Sequence, residues 1–356
     1  MTVVRLPGLI DVHVHLRQPG GEHKETWTTG TAAALAGGFT TVLAMPNTTP
    51  AVIDESSLDN ALSLASAGAR CDYAQYVGAG LSNSNRAGKL ADRAAGLKMY
   101  LGQTFGDLRL DDQMIWAAHL EAWPLDSTVA VHAEGSALGA VIGLAESIGR
   151  PIHVCHVAGA DDIDLIARAK ERGAAITCEA TPHHLFLDKT SDLPSGRAEV
   201  RPRLGSPLDR QALWDHLDII DCFATDHAPH TLDEKDGEDP PPGFPGLETA
   251  LPLLLTAVHE GLLTLDDVID RLHHRPAEIF GLPISAETWV EVDVDEEFEI
   301  ADSGHSRCGW TPFGGAPVRG RVNSVAIRGV TAYEYDQVIA AAGVGCDVRS
   351  EGRKAR

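Results

Sequence analysis

Two histidines one residue apart, His13 and His15 in DVHVHLRQPG (11–20), with Arg17 close behind, are the side chains of this sequence whose types and spacing speak first of chemistry. In a regular strand alternate side chains share a face, so His13 and His15 would point one way and Val12 and Val14 the other. Two imidazoles meeting at one spot suggest a metal ion. A lone His-x-His pair equally suits a solvated strand face, so the weight comes from what accompanies it. Asn47, Lys98, His132, His156, Glu179 and Asp226 each fall in or just after an otherwise apolar, β-rich run. Imidazole nitrogen and carboxylate oxygen suit zinc or another divalent transition metal, with His13, His15 and Asp226 around one ion and His132 and His156 around a second. Lys98 in GLKMYL has apolar neighbours, and an ammonium has no lone pair to offer a cation. It fits there as a neutral amine that has captured carbon dioxide, an N6-carboxylysine bridging both ions.

These residues need a scaffold that brings distant segments to one place. Eight β-rich runs, at 9–16, 39–46, 72–78, 96–101, 128–134, 152–157, 174–181 and 221–227, alternate with helical patterns such as 29–38, 55–68, 135–149 and 161–173, several ended by glycine. Eightfold strand–helix alternation predicts a (β/α)8 TIM barrel, an α/β fold whose active site sits at the carboxyl ends of its strands. Two further helices are expected over 247–261 and 263–281. Beyond 284 the pattern turns to short β-like pieces separated by glycines. The expected division is a barrel over 8–284 and a small β extension made by 1–7 with 285–356. The charged, proline-rich stretch 232–246 reads as a loop over the barrel mouth.

A length of 356 residues accommodates such a barrel with an accessory part, and a formal net charge of −22 speaks against nucleic acid or an anionic membrane surface as partner. An anionic small substrate would need its own cluster of cations. The six cysteines are scattered without a CxxC, which predicts reduced thiols and a soluble, cytoplasmic protein. No signal peptide or bilayer-length apolar run is evident.

HVHLR, GLKMYL, VHAE, HVCHVA, PHHLFL and ATDHAPHT, continuing through PPPGFPGLET and RLHHRPAEIF to GWTPF, together resemble the dihydroorotases of the amidohydrolase superfamily, most of all the dihydroorotase domain of the animal multifunctional pyrimidine-synthesis protein. The resemblance spans almost the whole chain. It implies reversible closure of N-carbamoyl-L-aspartate to L-dihydroorotate, with two zinc ions and carboxylated Lys98 shared between them. Asp226 would act as general base and then general acid. By the same match Arg17, Asn47, Arg201 and His230 hold the substrate carboxylate and the backbone near Pro242 meets the ring. Thr104 and Phe105, at the tip of the loop 102–110, would close over substrate as a lid. Cys155 and Glu179 match residues that hold a third zinc, with His132 as the shared ligand. Gln18 departs from the glutamate common after the motif arginine, and the segment 188–198 is shorter than in the animal domain.

The resemblance also brings expected partners: carbamoyl-phosphate synthetase and aspartate transcarbamoylase, free or fused, and a second copy in a homodimer. The start of the chain just before the first barrel strand is compatible with a free-standing protein and with one unit of a longer one. Hydantoinase or allantoinase chemistry is the nearest enzymatic alternative, and the Arg17–Arg201 clamp argues against it. An inactive scaffold is the other alternative, and the intact ligand set argues against that.

Overall fold

The computed structural model describes residues 2–102 and 108–351; Thr104 and Phe105 lie outside them, as do 352–356. The strands are β1 (Val3–Pro7), β2 (Leu9–Val14), β3 (Phe39–Ala44), β4 (Asp72–Gln75), β5 (Val77–Gly78), β6 (Leu97–Tyr100), β7 (Val129–His132), β8 (Ile152–Val154), β9 (Ile176–Ala180), β10 (Cys222–Phe223), β11 (Trp289–Glu299), β12 (Pro317–Ile327), β13 (Val330–Glu334) and β14 (Gln337–Val338). The first barrel arc is β2–β3–β4 and the second is β5 through β10, all parallel. β4 and β5 are one expected strand interrupted at Tyr76. The Tyr76 N–H still donates to Ala44 O and the Ala95 N–H to Gln75 O, so the arcs join there. A parallel bridge between Val14 and His227 closes the ring on the other side.

All eight expected runs are thus barrel strands, each shorter than its apolar pattern. The shortening is physical. At the mouth the chain leaves the ladder to aim side chains inward, and Arg17, His156 and Asp226 adopt left-handed backbone conformations with φ of 58°, 35° and 46°. Non-glycine residues hold such angles at a cost of about 1–3 kcal/mol each, sustained by surrounding packing.

Alternation holds on β6 and fails on β2. Leu97 and Met99 join the layer between barrel and helices, which turns Lys98 and Tyr100 into the barrel. On β2 the register against β3 advances three residues between Asp11 and Val14 for two on the partner, a bulge. Val14 packs with the outer layer while Val12 packs with Leu43, Tyr76, Ala130 and Phe280 inside the barrel, so the two valines do not share a face as expected.

The expected helix 263–281 is a composite: Leu265–Ile269, one π turn at Asp270–His274 and Arg275–Phe280. Pro276 has no N–H for the preceding turn, and the wider turn absorbs the mismatch. After it, β11 to β14 form an antiparallel sheet whose first edge is β1, paired with β11 from Val3↔Asp293 to Pro7↔Trp289. This sheet packs on the helix Ala250–His259. Gly320 (φ 96°) makes that approach feasible, since a Cβ there would lie 2.4 Å from Leu255.

Candidate active site

Seven strands and the loops after them deliver side chains to one rim. His13 Nε2 and His15 Nε2 lie 3.3 and 3.0 Å from the same Asp226 oxygen, from β2 and from the turn after β10. His13, His156 and Asp226 each present a ligand atom within 4.8 Å of the others, all buried. His132 Nδ1 is 2.8 Å from His156 Nε2. The bulge in β2 therefore does not separate its two histidines: both reach the aspartate despite the broken alternation.

Each imidazole is oriented from behind. His15 Nδ1 is 2.7 Å from Asn47 Oδ1, a contact that fixes the ring with Nε2 toward the centre. His13 Nδ1 pairs with Glu179 Oε1, whose other oxygen lies 3.0 Å from His153 Nε2. Burial alone would raise the Glu179 carboxyl, but His13 and His153 hold it well below the usual carboxylate range. Asp226 is likewise held down by His13 and His15 against its own burial. Burial lowers His15 to about 4, which keeps its lone pair available at neutral pH.

A metal fits these residues. The donors are imidazole and carboxylate, and His156 Nδ1 is buried with no hydrogen-bond partner among the described residues, an arrangement that is costly unless something else meets it. Lys98 is fully buried, and Nζ donates to Cys155 Sγ at 2.8 Å. Among the described residues no carboxylate comes within ion-pairing distance of it. Cys155, Glu179 and His13 form a second convergent group within 4.8 Å. The sequence expectation paired Cys155 and Glu179 with His132. In the structure they converge with His13, since β8 ends at Val154 and Cys155 turns inward from the strand end.

Arg17, Asn47, Arg201, His230 and Pro242 all line one cavity of about 60 Å³ together with His13, His15, His132, His156 and Asp226. Arg17 donates from Nε to Pro229 O (3.1 Å), and its Nη2 lies 3.0 Å from His230 Nε2. Lys24 Nζ is 3.2 Å from His230 Nδ1, and burial, Arg17 and Lys24 together push that imidazole far below its ordinary pKa. Arg201 donates to Glu199 Oε2 (2.8 Å) and to Val200 O (2.9 Å). A roomier cavity of about 490 Å³, lined by Glu248, His305 and Trp310, lies behind His227 and holds none of the candidate ligands.

Sequence reading missed several members. Lys24 and Tyr100 face the site, Glu25 accepts from the His227 ring beside Asp226 (3.2 Å), and Asp11 accepts from the His13 N–H (3.1 Å). Only Tyr100 left a signal, its two-residue spacing from Lys98 on one strand.

A family model described as "Dihydro-orotase-like" matches residues 2–139. The chain is 36% identical over 354 residues to the "Dihydroorotase" of Pyrococcus furiosus, covering 94% of this chain and 83% of that protein. It is 51% identical over 352 residues to the "Multifunctional protein CAD" of Squalus acanthias, covering 98% of this chain but only 16% of that protein's length. Among solved structures it superposes on an "L-Hydantoinase (Dihydropyrimidinase) from Arthrobacter aurescens" with a TM-score of 0.91 at 23% identity, covering 97% of this chain and 88% of that one, a likeness of fold. It also matches an "Inactive dihydroorotase-like domain of Chaetomium thermophilum CAD-like multifunctional protein" with a TM-score of 0.84 at 29% identity, over 98% and 99% of the two chains. No helix among the described residues is long and apolar enough to cross a membrane. With an archaeal dihydroorotase 36% identical across 94% of this chain and 83% of its own length, the chain belongs to the dihydroorotase family.

Proposed function

We infer that this chain is an active dihydroorotase, interconverting N-carbamoyl-L-aspartate and L-dihydroorotate in pyrimidine synthesis. The observation that carries this is the joint lining of one cavity by a metal-type donor set and by the carboxylate-binding set Arg17, Asn47, Arg201 and His230. A planar guanidinium with fixed charge can grip a carboxylate at two points. That requirement distinguishes dihydroorotate from hydantoin and allantoin, which carry no ring carboxylate.

Two zinc ions are the proposed cofactors, His13, His15 and Asp226 holding one, His132 and His156 the other, with Lys98 as an N6-carboxylysine between them. Lys98 is fully buried beside Cys155 with no carboxylate within ion-pairing distance among the described residues, a setting in which carboxylation would supply the missing negative charge. His13, Cys155 and Glu179 are the donors for a third. A bound metal pair would supply Lewis acidity and a water acidic enough to ionise near neutral pH. Asp226 takes the proton of the attacking water and returns it to the leaving ring nitrogen. Arg17, Asn47, Arg201 and His230 fix the carboxylate, and the Pro242 backbone meets the ring. Thr104 and Phe105 are proposed as the lid.

The proposed organisation is a barrel over 8–284 with an extension of 1–7 and 285–356, working in the cytoplasm as a homodimer. Partners that make carbamoyl phosphate and carbamoyl aspartate, fused or separate, are supported by the multifunctional relatives. The decisive assay follows hydrolysis of dihydroorotate, hydantoin and allantoin with and without chelator. Chelator-sensitive turnover of dihydroorotate alone is the expected result. No turnover by metal-replete protein would favour an inactive scaffold.

A further inference from the structure

Tyr100 ends β6, two residues beyond Lys98 and on the same inward face, one rung nearer the barrel mouth. Its side chain is 3% exposed, it lines the 60 Å³ cavity beside Arg17, His132 and Asp226, and its ring centroid lies 6.0 Å from that of His132. Its hydroxyl is buried and has no hydrogen-bond partner among the described residues. Native proteins rarely leave such a donor unpaired, and doing so forfeits roughly the strength of one buried hydrogen bond. Nothing among the described residues of the barrel wall uses the group. A phenol is protonated at neutral pH, so it can donate as well as accept.

Position in the ring says what it could meet. Arg17, Asn47 and His230 stand over β2, β3 and the turn after β10, which are contiguous in the barrel order, whereas β6 lies three strands round from β2. Arg17 and Tyr100 line the same cavity, so a ring whose carboxylate is held at Arg17 would have its remainder within that cavity, where Tyr100 can meet it. We propose that the Tyr100 hydroxyl is a substrate-binding group, donating a hydrogen bond to a carbonyl oxygen on the side of the dihydroorotate or carbamoyl-aspartate skeleton remote from the carboxylate. This rests on the dihydroorotase reading above. It adds a neutral donor on the far wall of the pocket to the charged clamp on the near wall.

The test is Tyr100→Phe in metal-replete protein. The variant keeps the ring and removes only the hydroxyl, so the ligand-free thermal midpoint should be unchanged or higher, since an unpaired buried donor has gone. Expected alongside are a fall of about tenfold or more in kcat/KM for dihydroorotate, a smaller thermal shift on adding dihydroorotate, and unchanged zinc stoichiometry and Lys98 carboxylation by elemental analysis and intact mass. Unchanged kcat/KM with an unchanged ligand-induced shift would overturn the proposal. So would loss of zinc or of the carboxylated lysine, which would mean that the phenol serves Lys98 and not the substrate. Wild-type protein that neither binds nor hydrolyses dihydroorotate would instead overturn the activity reading, a distinct result.

Discussion

Asp226 carries the most demanding set of constraints in the molecule: a left-handed backbone, burial, and two imidazoles on one oxygen. Asp226→Asn keeps the shape and removes the proposed proton acceptor, so kcat for dihydroorotate should fall by about 10²–10⁴-fold, measured by following ring opening at saturating substrate. Arg17 plays a different part. Arg17→Lys retains charge but loses the fork, so KM should rise about tenfold or more while kcat changes less, separable in a single steady-state series. At this scale legibility followed side-chain type. Histidine, aspartate and a buried lysine in apolar runs are conspicuous in a sequence, so the rim was readable. Lys24, Glu25 and Tyr100 are ordinary residues whose roles come from neighbours as far as 281 positions away, as with Glu25 and Ser306. That Cys155 and Glu179 converge with His13 was not legible, because it is set by where β8 stops.

Among the elements, strand number and order were legible from alternation of β-rich and helical runs, and the bulge in β2 and the break at Tyr76 were not. Both are one-residue departures that leave the apolar pattern intact. The loop 232–246 shows how an irregular segment is held. Lys235 is fully buried, donates from Nζ to Glu199 O (2.7 Å) and Pro241 O (2.9 Å), and sits near the Phe244 and Trp310 rings. It thereby joins the segment that carries Arg201 to the one that carries Pro242. Burial lowers its pKa to about 8 from an ordinary 10.5. Between those values the unfolded chain binds more protons than the folded one, so this residue's contribution to stability increases as pH rises from about 8 to about 10.5. Denaturant titrations at pH 7.5 and 9.5 should show a more favourable pH trend for wild type than for Lys235→Met.

Taken whole, the molecule is strongly acidic while its proposed substrates are anions. The outer vestibule, sharing Arg201 and Pro242 with the catalytic cavity, is lined by Lys24, Arg201 and Arg203 against Glu199, Asp233, Glu234, Glu238 and Asp239. Long-range repulsion should therefore slow substrate entry at low ionic strength, and kcat/KM should rise about twofold between 20 and 200 mM salt as screening sets in. A fall with salt would show that the inner cations dominate. Metal removal acts on the same scale: chelation should lower the thermal midpoint by about 5 °C or more, with recovery on adding zinc.

The pairing of β1 with β11 sets an order of events during synthesis. Residues 3–7 leave the ribosome well before the strand that receives them, whose paired residues run from Trp289 to Asp293. Until that far segment arrives, β1 has no strand beside it, and His13 waits for Asp226 until the barrel strands through β10 have been made. Translation slowed between codons 227 and 289 would lengthen that vulnerable interval, and chaperone engagement should peak there.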